Sequence, residues 1–246
     1  MPQPTLIAAH RGGLFLWPEN SATAFRHAAR LPIAQAECDV HLTAGGTPVL
    51  MHDATLERTT DGQGPVAALD EAGFGRLRLK GGDGEAPPTL AAYLAILAES
   101  HVAPRVEIKC GADHRPYPDA VPATLAVLDA AGQRARSWII AFEGETVAAC
   151  AAAGGLAGVA WLLEGRTLTA LGLTGMVAAA HAMGAREVGF HVRDIDSDIM
   201  AACRAARLGI SCWGANHDSS IRRAMALGVD LLATDDPPLA IALRAG

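Results

Sequence analysis

Aromatic residues are scarce in this 246-residue chain. Four tryptophans, two tyrosines and five phenylalanines make up 4% of it, although half of the chain is hydrophobic. Alanine, leucine and valine must therefore do most of the packing. Basic residues are outnumbered, 20 Lys and Arg against 26 Asp and Glu, for a net charge of −6. That balance argues against a nucleic-acid or anionic-membrane surface, and part of it can serve as a cage for a cation. Cysteine is sparse, at positions 38, 110, 150, 203 and 212, with no C-x-x-C pair. An odd, scattered set implies buried free thiols in a reducing compartment. No apolar run approaches membrane-spanning length, so no stable membrane anchoring is expected. Met1-Pro2-Gln3-Pro4 lacks a basic region, and the apolar run behind it stops at His10, so no signal peptide is expected either. A soluble, cytoplasmic protein is the expectation.

What the chain does have is alternation. Strand-like runs fall at residues 6–9, 34–40, 49–51, 106–108, 137–142, 158–162, 188–190, 210–213 and 229–233. Ala/Leu-rich stretches of helical length lie between most of them, as at 21–30, 90–98, 120–131 and 199–208. This pattern implies βα units around a parallel sheet. Nine candidates are one too many for a closed eight-stranded barrel. Only Ala44-Gly45-Gly46-Thr47 separates the second from the third, too few residues for a parallel crossover, so that link must be an antiparallel hairpin. Gly45-Gly46 suits a two-residue turn because both positions accept positive φ. Pairing outwards from such a turn sets His52 opposite Asp39, and a longer turn shifts this by a residue. The prediction is an α/β fold, a TIM (β/α)₈ barrel with a hairpin extension after strand 2, as one domain over residues 1–246. Residues 54–88, rich in glycine and poorly periodic, read as a small insertion or cap. Asn20, Thr89 and Asp235 or Asp236 are expected to start helices.

Chemistry-bearing residues concentrate at predicted strand ends. Residues two apart on a strand face the same side, so Glu37 and Asp39 point together while Cys38 faces the helix layer. Two buried carboxylates repel unless a cation or a shared proton compensates, and metal ligation is favoured over a frayed surface pair. Glu107 and Lys109 alternate likewise around Ile108; taken alone they are as readily an ion pair. His10 and His52 fall on the barrel face where active sites lie, and Arg11 offers a planar fork for phosphate oxygens or, failing that, a partner for Asp235. His27, His41, His101, His114, His181, His191 and His217 are read as packed or solvated. Trp213, at the end of a strand, divides evenly between core and substrate platform, and Asn216 reads as a cap of the next helix. Two imidazoles, three carboxylates, an arginine and a lysine suit metal-assisted cleavage of a phosphate ester.

In order and spacing these fragments resemble the glycerophosphodiester phosphodiesterase family. His10-Arg11-Gly12, Pro18-Glu19-Asn20-Ser21, Glu37-x-Asp39-Val40, His52-Asp53, the run from Thr55 to Gly64, Glu107-x-Lys109, Trp213-x-x-Asn216 and the segment from Gly228 to Pro237 carry the likeness. Departures occur at Gly45-Gly46, at residues 32–36, at Ala141-Phe142 and across about 143–195, where specificity is expected to diverge. The resemblance implies a TIM barrel with a divalent cation held by Glu37, Asp39 and Glu107, and those oxygen-only donors favour Mg²⁺, Ca²⁺ or Mn²⁺. It implies that His10 and His52 are catalytic and that Arg11 and Lys109 contact phosphate; Trp213, from its place at a strand end, is the candidate to pack against the substrate. The expected reaction is metal-dependent hydrolysis of a small glycerophosphodiester to sn-glycerol 3-phosphate and an alcohol. The alternatives are a phospholipase D-like activity on lysophospholipids or sphingolipids, and a retired barrel that only binds phosphorylated ligands.

Overall fold

The computed structural model describes residues 4–245; residues 1–3, on which the signal-peptide expectation partly rests, lie outside them. Among the described residues nine strands form one sheet: β1 (Leu6–Ala9), β2 (Gln35–Leu42), β3 (Pro48–Leu50), β4 (Ala103–Ile108), β5 (Trp138–Ala141), β6 (Gly158–Leu163), β7 (Glu187–His191), β8 (Gly209–Trp213) and β9 (Leu231–Thr234). All except β3 run parallel, and β1 pairs with both β2 and β9, so eight strands close into a barrel. A helix follows each barrel strand: α1 (Ala22–Ala28), α3 (Leu90–Leu97), α4 (Ala120–Ala130), α5 (Gly144–Ala153), α6 (Gly165–Ala182), α7 (Ser197–Ala205), α8 (Asp218–Leu227) and α9 (Pro237–Ala245). This is the TIM barrel that the alternation predicted.

The main core lies between strands and helices, where Phe25, Tyr93, Leu97, Phe190 and Cys38 are fully buried. Cys38 faces this layer as its place between Glu37 and Asp39 required. The inside of the barrel is filled by smaller side chains, among them Ala8, Ala233, Ala160, Ile140 and Leu162. At its centre stands Arg105, 2% exposed, which donates to Glu187, Gln35 and Ser211. A charge so deep is tolerated only because it is paired and its N–H groups find acceptors. No local pattern around Arg105 announces this polar floor, which is assembled from β2, β4, β7 and β8.

The β2–β3 hairpin forms as expected, but its turn is longer. Thr43 and Thr47 close it, with Thr47 C=O accepting from Thr43 N–H at 3.1 Å, and of the two glycines Gly46 takes the positive φ, +78°. The loop therefore holds three residues, not two. Pairing shifts by one, so that Met51 N–H reaches Asp39 C=O at 3.1 Å and His52 lies one step beyond Asp39. Residues 54–88 make a cap around their own small core of Val49, Met51, Leu56, Val66, Phe74 and Leu77, with the short helix α2 (Glu71–Gly75).

Two capping expectations are corrected. Ser21, not Asn20, caps α1, accepting from Ala24 N–H at 2.9 Å. Asn216 is not a cap either; α8 begins after His217. Thr89 caps α3 as read, and Asp236, of the two aspartates, accepts from Leu239 N–H at 3.0 Å to start α9.

Candidate active site

Parallel registers assemble the site. β2 and β4 align Asp39 with Glu107 and Glu37 with Arg105, so the three carboxylates reach one mouth of the barrel. Their nearest oxygens all lie within 4.8 Å of one another, and all three residues are buried. β1 aligns Ala9 with Ala36 on one side and with Thr234 on the other. The next residue, His10, is thereby set between Glu37 and Asp235. Its Nδ1 lies 2.6 Å from Asp235 Oδ1 and its Nε2 3.9 Å from Glu37 Oε2. Register explains why Asp235 pairs with His10 and not, as the sequence had suggested, with Arg11.

His10-Arg11-Gly12 leaves β1 as a tight turn in which Arg11 has φ +50°. A left-handed arginine costs about 1 kcal/mol or more and persists only where its surroundings hold it. Here Arg11 N–H donates to Glu37 Oε2 at 2.7 Å, and Arg11 C=O accepts from Asn20 N–H at 3.0 Å. Gly12 has φ +83°, and a Cβ there would stand 2.6 Å from Ala24 Cβ, so only glycine lets α1 approach. The Arg11 guanidinium lies 3.4 Å from Asp39 and 3.3 Å from Glu19.

His52, just past β3, has Nδ1 2.7 Å from Asp53 Oδ1. Arg58 grips both Asp53 and Glu19, tying the His52 segment to the Arg11 loop. Lys109 Nζ donates to Glu107 at 2.7 Å and stands 3.4 Å from Asp39. Trp213 is half-buried, edge-on to Phe142 with ring centroids 5.6 Å apart. His10, Arg11, Glu37, His52, Glu107, Lys109 and Trp213 all line one cavity, and Asp39, fully buried, closes the carboxylate cluster behind it. The structure thus brings together all eight residues singled out from sequence.

The electrostatics are uneven. Burial, and then repulsion from Asp39, pushes the Glu37 carboxyl up to about 8. Burial also opposes charge on Asp39, but Lys109 and Arg11 outweigh it and hold that carboxyl well below its usual range. For His10, burial opposes the charged form, yet the Asp235 hydrogen bond and Glu37 prevail and raise its pKa. Among the described residues, two buried oxygens, Glu37 Oε1 and Asp39 Oδ1, have no hydrogen-bond partner, though Lys109 Nζ stands 3.4 Å from the second. Orphaned lone pairs within a set of oxygen-only donors fit a hard divalent cation.

A model of the glycerophosphoryl diester phosphodiesterase family matches residues 10–239, from His10 to the first turn of α9. The chain belongs to this family. A crystal structure from Agrobacterium tumefaciens, provisionally assigned as a glycerophosphoryl diester phosphodiesterase, is similar at 34% identity and a TM-score of 0.95, over 99% of this chain and 98% of that one. A glycerophosphodiester phosphodiesterase from Caldanaerobacter subterraneus is 28% identical over 97% of each chain. The match to bovine glycerophosphodiester phosphodiesterase 1 is local, 52% identity over 25% of this chain and 18% of that protein. An Oleispira antarctica phosphodiesterase, solved with its product sn-glycerol-3-phosphate, shares the barrel at 20% identity and a TM-score of 0.86, over 99% of this chain and 98% of that one. Among the described residues no helix is long and apolar enough to cross a membrane.

Several partners in this phosphodiesterase site escaped the sequence reading. Asn20 makes two hydrogen bonds to Asp39, from its Nδ2 to Oδ2 at 2.8 Å and from the Asp39 N–H to its Oδ1 at 3.2 Å. Asn216 does the same for Asp235, its Nδ2 donating to Oδ2 and its Oδ1 accepting from the Asp235 N–H. His41, read as a packed histidine, lies within reach of His52, and the alternation Glu37-x-Asp39-x-His41 was the signal that would have found it.

Proposed function

We propose that this chain, acting as a single catalytic domain, hydrolyses glycerophosphodiesters to sn-glycerol 3-phosphate and an alcohol. Glu37, Asp39 and Glu107 would hold a divalent cation, and His10 and His52 would exchange protons with the reacting groups. One observation carries the reading: a three-carboxylate cluster with two orphaned oxygens opens into the same cavity as two histidines, each hydrogen-bonded to its own aspartate. The family assignment and the glycerol phosphate bound by the Oleispira antarctica relative support the substrate class.

When bound, a divalent cation supplies positive charge to a phosphate oxygen and eases deprotonation of an attacking hydroxyl. The side chains do the remainder. Arg11 presents guanidinium N–H groups to phosphate oxygens in a mostly buried setting, where their charge is least screened. Lys109 adds a second positive charge, and its ammonium form is favoured because Glu107 and Asp39 outweigh the burial that opposes it. Asp235 bonds His10 Nδ1 and Asp53 bonds His52 Nδ1, so in each ring Nε2 is the nitrogen free to take or give the substrate's proton. One histidine receives the attacking proton and the other protonates the departing alcohol.

Trp213 packs on the glycerol backbone in this reading, with the alcohol portion left towards solvent. Small, water-soluble diesters are then the preferred substrates. Five unpaired cysteines support a reducing compartment, and we place the activity in the cytoplasm. One observation favours the lysophospholipid alternative: Phe15 and Leu16, in the loop after Arg11, are 49% and 44% exposed. Turnover of a panel of glycerophosphodiesters and lysolipids, with Mg²⁺, Ca²⁺ or Mn²⁺ and with chelator, tests the proposal. Metal-dependent turnover of the small diesters is expected. Turnover confined to lysolipids would favour the alternative, and phosphate-ligand binding with no turnover would leave a retired barrel.

A further inference from the structure

We propose that His41 and Tyr117 are positioning residues for His52, joined to it by a part-buried hydrogen-bonded chain that runs from the Tyr117 hydroxyl through the His41 ring to the His52 main-chain carbonyl. The inference rests on the reading of His52 as one of the two proton-transferring groups.

His41 is 1% exposed and shares its strand face with Glu37 and Asp39. Its Nε2 lies 3.2 Å from His52 C=O and its Nδ1 2.9 Å from the Tyr117 hydroxyl. A carbonyl oxygen accepts only, so Nε2 must carry a proton. In the neutral ring Nδ1 then accepts, and the Tyr117 O–H donates to it. Both ring nitrogens are satisfied, in one tautomer and one orientation.

The place of this chain in the fold gives it a task. The β2–β3 ladder makes its last rung where Met51 N–H meets Asp39 C=O, and β3 itself ends at Leu50. His52 follows immediately, where strand pairing no longer holds the backbone. His41 supplies the next tie, from the same strand that carries two of the carboxylates. Tyr117 extends the tie to the loop between β4 and α4, which begins at Lys109 and is closed by a bridge between Cys110 and Pro116. The segment bearing His52 is thereby fixed to the two elements that bear Glu37, Asp39, Glu107 and Lys109. A cavity of about 1050 Å³ opens beside this tie, lined by His41, His52, Lys109, Cys110 and His114 among others. A displacement of about 1 Å in a reacting group can reduce a rate roughly 100-fold, which is the size of effect such a tie controls.

The test is steady-state hydrolysis of glycerophosphocholine by the metal-loaded enzyme. His41→Phe keeps the ring volume and removes the donor, and should lower kcat about 10- to 100-fold with KM little changed. His41→Gln returns an N–H near the Nε2 position and should recover most of that loss. Tyr117→Phe, which removes only a hydroxyl at a half-buried position, should lower kcat by a smaller factor and carries the test if His41→Phe fails to fold. The deciding measurement is repetition in a His52→Ala background, where neither substitution should lower kcat further, because the group they position is gone. Undiminished kcat in folded His41→Phe and Tyr117→Phe would overturn the proposal. So would a loss of unchanged size in the His52→Ala background, which would show that His41 acts on the carboxylates instead. Full activity of His52→Ala alone would overturn the reading of His52 and the relay with it.

Discussion

Glu37→Gln should make the metal-free protein more stable, and by more as the pH rises. The buried Glu37 carboxyl is pushed up to about 8, chiefly by burial and then by Asp39. An unfolded glutamate titrates near ~4.3, so between those values the folded state holds a proton that the unfolded state has lost. Stability must then fall with rising pH across that window, at about 1.4 kcal/mol per pH unit for one proton. The accumulated loss is on the order of 4 kcal/mol at pH 7 and about 5 kcal/mol above pH 8. Glutamine is nearly isosteric and does not ionise, so it escapes the loss. For a chain of this size about 4 kcal/mol corresponds to roughly 8–16 °C in melting temperature.

Asp39→Asn should do the opposite. Lys109 and Arg11 hold Asp39 below its usual range, so its charge adds stability that is present at neutral pH and is lost as pH falls through the acid range. Removing it leaves two buried cations short of a partner. Thermal unfolding of wild type, Glu37→Gln and Asp39→Asn in chelator at pH 5, 7 and 8 checks both signs. Saturating divalent cation should then raise the wild-type midpoint and largely fail to raise that of either variant. Destabilisation by Glu37→Gln at pH 8, or equal shifts at pH 5 and pH 8, would refute the reasoning.

His10→Ala and His52→Ala should each lower kcat by about 10²–10⁴ while remaining folded, as assayed on glycerophosphocholine. With p-nitrophenol as the leaving group, whose anion departs without protonation, one variant should recover far more than the other; equal defects on both substrates would mean neither is a dedicated acid. Asn20→Ala removes both hydrogen bonds to Asp39 and should destabilise by about 1.5–3 kcal/mol in denaturant titration, with weaker metal binding by calorimetry. A kcat/KM for lysophosphatidylcholine above that for glycerophosphocholine would overturn the preference for small diesters, since each acyl CH₂ buried contributes about 0.8 kcal/mol only where an apolar groove exists to receive it.

Much of this was legible in sequence because strand alternation is local. Glu37-x-Asp39 and Glu107-x-Lys109 declare their shared faces by spacing alone, and the short link through Gly45-Gly46 forces the hairpin whatever surrounds it. What escaped depends on register between distant segments. Asp235 meets His10 because Ala9 pairs with Thr234 across the closing seam, and no local pattern near residue 235 reveals that pairing. Asn20 looked like a helix cap, since Asn before Ser is good capping chemistry. Ser21 takes that role, and a left-handed backbone at Asn20, φ +52°, frees its amide for Asp39. Arg105 lies just before the strand-like run at 106–108, and no local pattern marks it as buried until Gln35, Glu187 and Ser211 are brought round it. The hairpin turn came out one residue longer than read, because only Gly46 uses the positive φ that both glycines allow.

The central claim is metal-dependent cleavage of a glycerophosphodiester at Glu37, Asp39 and Glu107. It is tested most directly by following glycerophosphocholine with ³¹P NMR, first with exhaustively chelated protein and then after adding back Mg²⁺, Ca²⁺ or Mn²⁺. The account predicts no turnover without metal, and appearance of sn-glycerol 3-phosphate with at least one of the three. Glu37→Gln, Asp39→Asn and Glu107→Gln should each remain severely impaired after metal is restored. Full turnover in chelator, or full activity of all three variants, would contradict it.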